Sequence, residues 1–191
     1  MSDDLIADPR RYGFHATLKP PFALINGCTE ADLTTAVEHL ASGLGAVTAP
    51  ALSLKVIDEF LALVPAHHCP ALDELAATCV RNLDRFRRPA GVDEVQRRRT
   101  ASLSKRQDAY LLRWGYPYVM EEFRFHITLT RRLSDQESNH TAALAREHFS
   151  DILDHPLVID HLTLFREPGP GRDFIAVERY PLRASADRKA S

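Results

Sequence analysis

The stretch RYGFHATLKPPF, residues 11–22, sets a histidine and a threonine two positions apart inside an apolar run, and EFRFHITLTRRL, residues 122–133, does so again. In an extended chain successive side chains alternate, so Tyr12, Phe14, Ala16 and Leu18 would face one way and Gly13, His15 and Thr17 the other. The same parity sets His126 beside Thr128. Reading 12–18 and 122–130 as strands gives each a polar pair on one face and apolar residues on the other. Pro20 and Pro21 stop the first strand.

The segments downstream of each motif repeat as well. Thr29 with Asp32 three residues on marks a helix entry, closed by glycines at 43 and 45, and Ser134 with Glu137 opens a helix at the matching place after His126. PALSLKVI and FLALVP, parted by Asp58 and Glu59, read as a hairpin; PLVIDHLTLFRE and DFIAVERYPL read as two strands around PGPGR. Leu52 lies 37 residues beyond His15 and Leu162 lies 36 beyond His126, so the likeness is positional. The expected fold is α+β: a single bilobal domain of two pseudo-symmetric lobes, mixed or antiparallel sheets with helices outside. The first lobe would be mainly 11–87, a helical insertion about 88–115, and the second lobe mainly 116–182. A strand and a helix (69–87) stand before the second motif but only an irregular lead-in stands before the first, so a missing N-terminal strand and helix is expected. The tail from 183 is expected to fray.

Bulk composition narrows the function classes. The chain has 191 residues, 45% of them hydrophobic, and 24 basic against 26 acidic residues give a net charge of -2. That balance offers no general attraction to duplex DNA or to a membrane surface. Cys28, Cys69 and Cys79 are odd in number and lack ligand-like spacing, which points to free thiols in a cytoplasmic protein rather than a disulfide scaffold or zinc site. No apolar run approaches the roughly 18 residues of a membrane span.

Two facing His-x-Thr pairs suit phosphate chemistry. Imidazoles exchange protons near neutral pH and threonine hydroxyls donate to phosphate oxygens, so His15, Thr17, His126 and Thr128 are the candidate catalytic residues. Neither strand carries a third metal-ligating side chain at a suitable offset, so no metal and no cofactor is called for. Substrate-binding candidates are Tyr12, Lys19, Tyr116, Tyr118, Arg124 and Arg131. Of these, Arg124 shares the His126 face by parity, while Lys19 reads mainly as a solvated surface residue. WGYPYV suits a pocket wall. Arg97, Arg98 and Arg99 read as a solvated helix face, and His67 and His68 as exposed loop residues.

FHATL and FHITL resemble the paired signatures of the two-histidine phosphoesterase superfamily, which includes RNA-ligase-like proteins and cyclic phosphodiesterases. RRYGFHATLKPPF, WGYPYVMEEFRFHITLTRRL and LTLFREPGPGRDF resemble more narrowly a bacterial branch associated with phosphonate metabolism. The resemblance covers nearly the whole chain. It implies an RNA-ligase-like bilobal fold, His15 and His126 as an acid–base pair, and Thr17 and Thr128 as phosphate-orienting hydroxyls. It further implies a metal-independent hydrolase acting on a small cyclic phosphate or short phosphodiester, with a small phosphorylated sugar or nucleotide as partner. The alternatives are an RNA-terminus 2',3'-cyclic or 2'-5' phosphodiesterase and a catalytically inactive nucleotide- or RNA-binding module. A homodimer lending an edge strand is compatible with the absent opening strand.

Overall fold

The computed structural model describes residues 4–99 and 102–183. The tail expected to fray lies, from 184 on, outside the described residues. In chain order the elements are α1 (Ala7–Arg10), α2 (Glu30–Gly43), β1 (Val47–Ile57), β2 (Phe60–Pro65), α3 (Pro70–Leu83), α4 (Val92–Arg99), α5 (Lys105–Trp114), β3 (Ile127–Arg132), α6 (Asp135–His148), α7 (Ser150–Leu153), β4 (Pro156–Ile159), β5 (His161–Arg166) and β6 (Ile175–Pro181). The fold is mixed α+β. No helix among the described residues is long and apolar enough to cross a membrane.

Helix entries obey local chemistry. Thr29 and Asp32 open α2, Ser104 and Gln107 open α5, and Ser134 and Glu137 open α6. Each pair exchanges side-chain and backbone hydrogen bonds, satisfying N–H groups that the helix itself leaves unpaired. Asp58 and Glu59 turn β1 into β2 with φ of 44° and 75°. Both values are left-handed, as the tightest antiparallel hairpins require. Glu59 carries a β-carbon into that region, which costs about 1 kcal/mol. Replacing Glu59 by glycine is therefore expected to raise unfolding stability by up to about 1 kcal/mol, less whatever the exposed Glu59–Arg132 pair contributes. Chemical denaturation of the two proteins checks it.

A four-stranded antiparallel sheet runs in the order β3-β2-β1-β4, and β5 and β6 form a second, two-stranded sheet. The hairpin β1–β2, which comes after the first motif in sequence, thus pairs with β3, which carries the second motif. Leu52, Leu61, Leu63, Ile127 and Leu129 form one face of the larger sheet and pack with Ala145, Phe149 and Leu153 from α6 and its C-terminal extension. A second core joins Leu33, Val37 and Ala41 of α2 and Leu75, Cys79 and Leu83 of α3 to Leu162 and Tyr180 of the smaller sheet. Burial there pushes the Cys79 thiol up to about 12, so it behaves as a small apolar side chain.

Four expectations are corrected. Residues 12–18 are not a strand: Gly13 takes φ +70°, the chain turns at 11–12, and residues 14–18 have no ladder of backbone bonds. PLVIDHLTLFRE is not one strand but two. Asp160 separates β4, claimed by β1, from β5, claimed by β6. The second motif strand starts at Ile127 rather than 122, after a single tight turn at Met120–Glu122. The lead-in before the first motif is also more ordered than expected, since it contains α1.

Candidate functional site

The two motifs are built alike at the histidine. His15 Nδ1 lies 3.0 Å from the Gly13 carbonyl oxygen, and His126 Nδ1 lies 2.8 Å from the Arg124 carbonyl oxygen. A carbonyl only accepts, so Nδ1 must carry the proton in both rings and Nε2 is the outward atom. When neutral, each ring offers a lone pair at Nε2; when protonated, it offers an N–H to an anion. His15 Nε2 lies 3.1 Å from Thr17 Oγ1, which places that hydroxyl as donor to the neutral ring. Both rings are half-buried. Phe165 and Tyr12 flank His15 at centroid distances of 5.8 and 5.6 Å, and Phe60 flanks His126 at 5.8 Å.

Packing turns both motifs the same way. Ala16 packs against the core that contains Ile127 and Leu129, while His15 and Thr17, on either side of it, touch each other instead. Thr128, between Ile127 and Leu129, points out of that core by the alternation of β3. The residues before the first motif lie along β3, where the Arg131 N–H donates to the Leu5 carbonyl at 2.8 Å. Further on, the Arg11 carbonyl accepts from Phe174 just before β6. The first motif thus runs between the two sheets. Among the described residues no hydrogen bond or ring contact joins one histidine to the other.

The remaining candidates divide. Tyr12 stacks on both His15 and Phe174, because the left-handed turn at Gly13 folds it back over the motif. Tyr116 meets Tyr118 edge-on at 5.6 Å. Burial pushes the Tyr116 phenol up, with Arg98 opposing and the Tyr118 and Tyr12 phenols adding. Arg124 is exposed and holds His126 through its carbonyl. Arg131 is spent elsewhere: it binds Asp4 and Glu137 at 2.7 and 2.9 Å and ties the lead-in to α6. Those bonds raise its own proton affinity and hold Glu137 down to about 2.

Lys19 corrects the surface reading. Its side chain is 8% exposed, with Nζ 3.4 Å from Asp84 Oδ1, and burial lowers its proton affinity against the pull of Asp84. In the arginine run, Arg97 and Arg99 are exposed on α4, as a solvated helix face expects, with Arg99 holding Asp108 at 2.6 Å. Arg98 departs from it, its guanidinium lying 5.5 Å from the Tyr116 ring centre with its Nε buried and without a hydrogen-bond partner among the described residues.

Sequence reasoning missed Lys55. The register pairs Lys55 with Ala62 and Ala62 with Thr128, so all three share the sheet face opposite Leu61 and Leu63, with Ala62 itself fully buried. No spacing in the sequence reveals that, since 73 positions separate Lys55 from Thr128. Among the described residues no group of three or more His, Cys, Asp or Glu is placed to hold a metal ion.

Residues 17–175 match the family model described as protein of unknown function, DUF1045. The chain belongs to that family. It is 38% identical over 192 residues to the ribose 1,5-bisphosphate phosphokinase PhnN of Janthinobacterium sp. (strain Marseille), covering 98% of this chain and 42% of that protein. It is 37% identical over 174 residues to the protein of the same name from Laribacter hongkongensis (strain HLHK9), covering 90% of this chain and 39% of that one. The chain therefore spans about two fifths of the length of these curated relatives. These matches correct the expected two-histidine phosphoesterase. The family shown is DUF1045, and the relatives are named for a phosphokinase, not for hydrolysis of a cyclic phosphate or phosphodiester. The RNA-terminus and inactive RNA-binding alternatives go with it.

Proposed function

We propose that this chain binds a small phosphorylated sugar of the ribose 1,5-bisphosphate class and presents it for phosphokinase chemistry, with His15, Thr17, His126 and Thr128 as its phosphate contacts. The observation that carries the reading is the shared histidine geometry. Each Nδ1–H is held by a carbonyl two residues back, so each ring turns Nε2 outward, that of His15 shared with the Thr17 hydroxyl, toward the place a phosphate oxygen would take. Phosphoryl transfer is chiefly a matter of positioning and charge, and imidazolium and hydroxyl donors supply both to a phosphate. The names of the relatives support the sugar class.

The reading assigns this chain the sugar side of the reaction. A GxxxxGK[ST] loop, whose backbone N–H groups cradle nucleotide phosphates, does not occur in the 191 residues, so no nucleotide role is given to them. Two pseudo-equivalent halves are part of the proposal. They are supported by the hairpin β1–β2 lying beside the second motif, while the β5–β6 sheet lies beside the first through Phe165 and Phe174. Three free cysteines accord with a cytoplasmic setting.

Titration calorimetry of the purified chain with ribose 1,5-bisphosphate, ribose 5-phosphate and unphosphorylated ribose tests the reading. Binding of the phosphorylated sugars and none of ribose is the expected result. A folded chain that binds none of the three overturns it.

A further inference from the structure

We infer that the cleft beside the second motif seats the second phosphoryl group of a bisphosphorylated sugar, an inference that rests on the proposed sugar-phosphate binding. The cleft is about 350 Å³, within the range of small-molecule sites, and lies where the end of β2, the start of α3 and the residues leading into His126 converge. Lys55, His67, His68, Asp73 and Arg124 supply its polar lining, over apolar side chains such as Val64.

Charge decides what such a cleft accepts. Lys55 and Arg124 have no ion-pair partner among the described residues. Asp73 is the single carboxylate in the lining, and it is already engaged by His68 Nε2 at 2.6 Å. Two unpaired cations beside one occupied carboxylate leave the cleft positive, and His67 adds a further donor. An anion rich in acceptor oxygens answers that arrangement better than a carboxylate does, since a phosphoryl group can take donors from several sides.

The cleft adjoins the motif through Arg124. Arg124 gives its carbonyl to His126 Nδ1, so the residue that lines the cleft also orients the imidazole. Lys55 stands across Ala62 from Thr128, two strand spacings or roughly 10 Å away on one sheet face. Ala62 between them is itself fully buried, so the link between cleft and motif is Arg124, which lines the one and orients the histidine of the other. A pentose with a phosphoryl group at each end has the reach of those two strand spacings. One phosphoryl group would sit at the histidines, and the other would take Lys55 and Arg124.

The test compares affinities of wild type, Lys55→Met, Arg124→Met and His126→Ala for ribose 1,5-bisphosphate and ribose 5-phosphate by calorimetry. Lys55→Met and Arg124→Met are each expected to weaken bisphosphate binding by about tenfold, the effect of one charge-assisted hydrogen bond, while leaving monophosphate binding within about twofold. His126→Ala weakens both ligands. Cleft variants that leave the bisphosphate unaffected, or weaken both ligands equally, overturn the second seat and leave the motif reading standing. A wild type that binds neither ligand overturns both.

Discussion

His126→Ala is expected to weaken binding of ribose 1,5-bisphosphate by about ten- to a hundredfold, and His15→Ala by a comparable factor. The size of the effect comes from one charge-assisted hydrogen bond of about 1.5–3 kcal/mol per imidazole, at 1.4 kcal/mol per factor of ten. The two threonines should differ. Thr17 Oγ1 is already bound to His15 Nε2, so Thr17→Val loses a phosphate contact and also the contact that holds the ring. No such bond links Thr128 to His126, and Thr128→Val removes one neutral donor, a loss of about fivefold. Calorimetry on the four variants, with thermal melts to show that each is folded, makes the comparison. Folded His15→Ala and His126→Ala proteins with wild-type affinity would remove both motifs from the site.

The parts of this fold legible in the sequence are those decided within a few residues. Thr29 with Asp32 and Ser134 with Glu137 each complete a helix cap inside one turn. The two-residue turn at Asp58 and Glu59 declares its hairpin in the same way. The first motif defeats a strand reading because alternation assumes a regular backbone. Gly13 adopts φ +70° and gives its carbonyl to His15, so Tyr12 folds over the ring that strict alternation would turn it away from. The split between β4 and β5 depends on which strand each meets, and the position of Lys55 beside Thr128 depends on register across three strands. Neither is a local property. On the proposed reading the motifs contact phosphate, but His-x-Thr spacing is silent on which phosphoryl reaction it would serve. The relatives that the chain matches over about two fifths of their length are named for a phosphokinase, not for hydrolysis.

Asp84→Ala is expected to lower stability by about 3 kcal/mol, whereas Lys19→Met, at the other end of the same contact, should change it by no more than about 1 kcal/mol or raise it. The two ends respond differently because their surroundings differ. Burial works against the charge on both. On Asp84 it is outweighed by Arg87, whose Nε lies 2.7 Å away, and by Lys19, and the carboxyl is held below its ordinary value. On Lys19, more deeply buried and 3.4 Å from the carboxylate, burial wins and proton affinity falls. The firm pair is thus Asp84–Arg87, and Lys19 is the weakly compensated third member. Removing the carboxylate strands two cations between α3 and the first motif's flank; removing the ammonium strands nothing. Because the folded carboxyl titrates lower than the unfolded one, its contribution is fully present above the ordinary value of 3.8 and is lost as pH falls through the lowered value. Urea unfolding of wild type, Asp84→Ala and Lys19→Met at neutral pH and near pH 3 reads both effects, and the Asp84→Ala deficit should shrink at the lower pH. Sugar-phosphate affinity should survive Lys19→Met, since the ammonium points to Asp84 and the Val80 carbonyl. If Lys19→Met instead lost affinity with unchanged stability, Lys19 would belong among the phosphate contacts and its burial would be incidental.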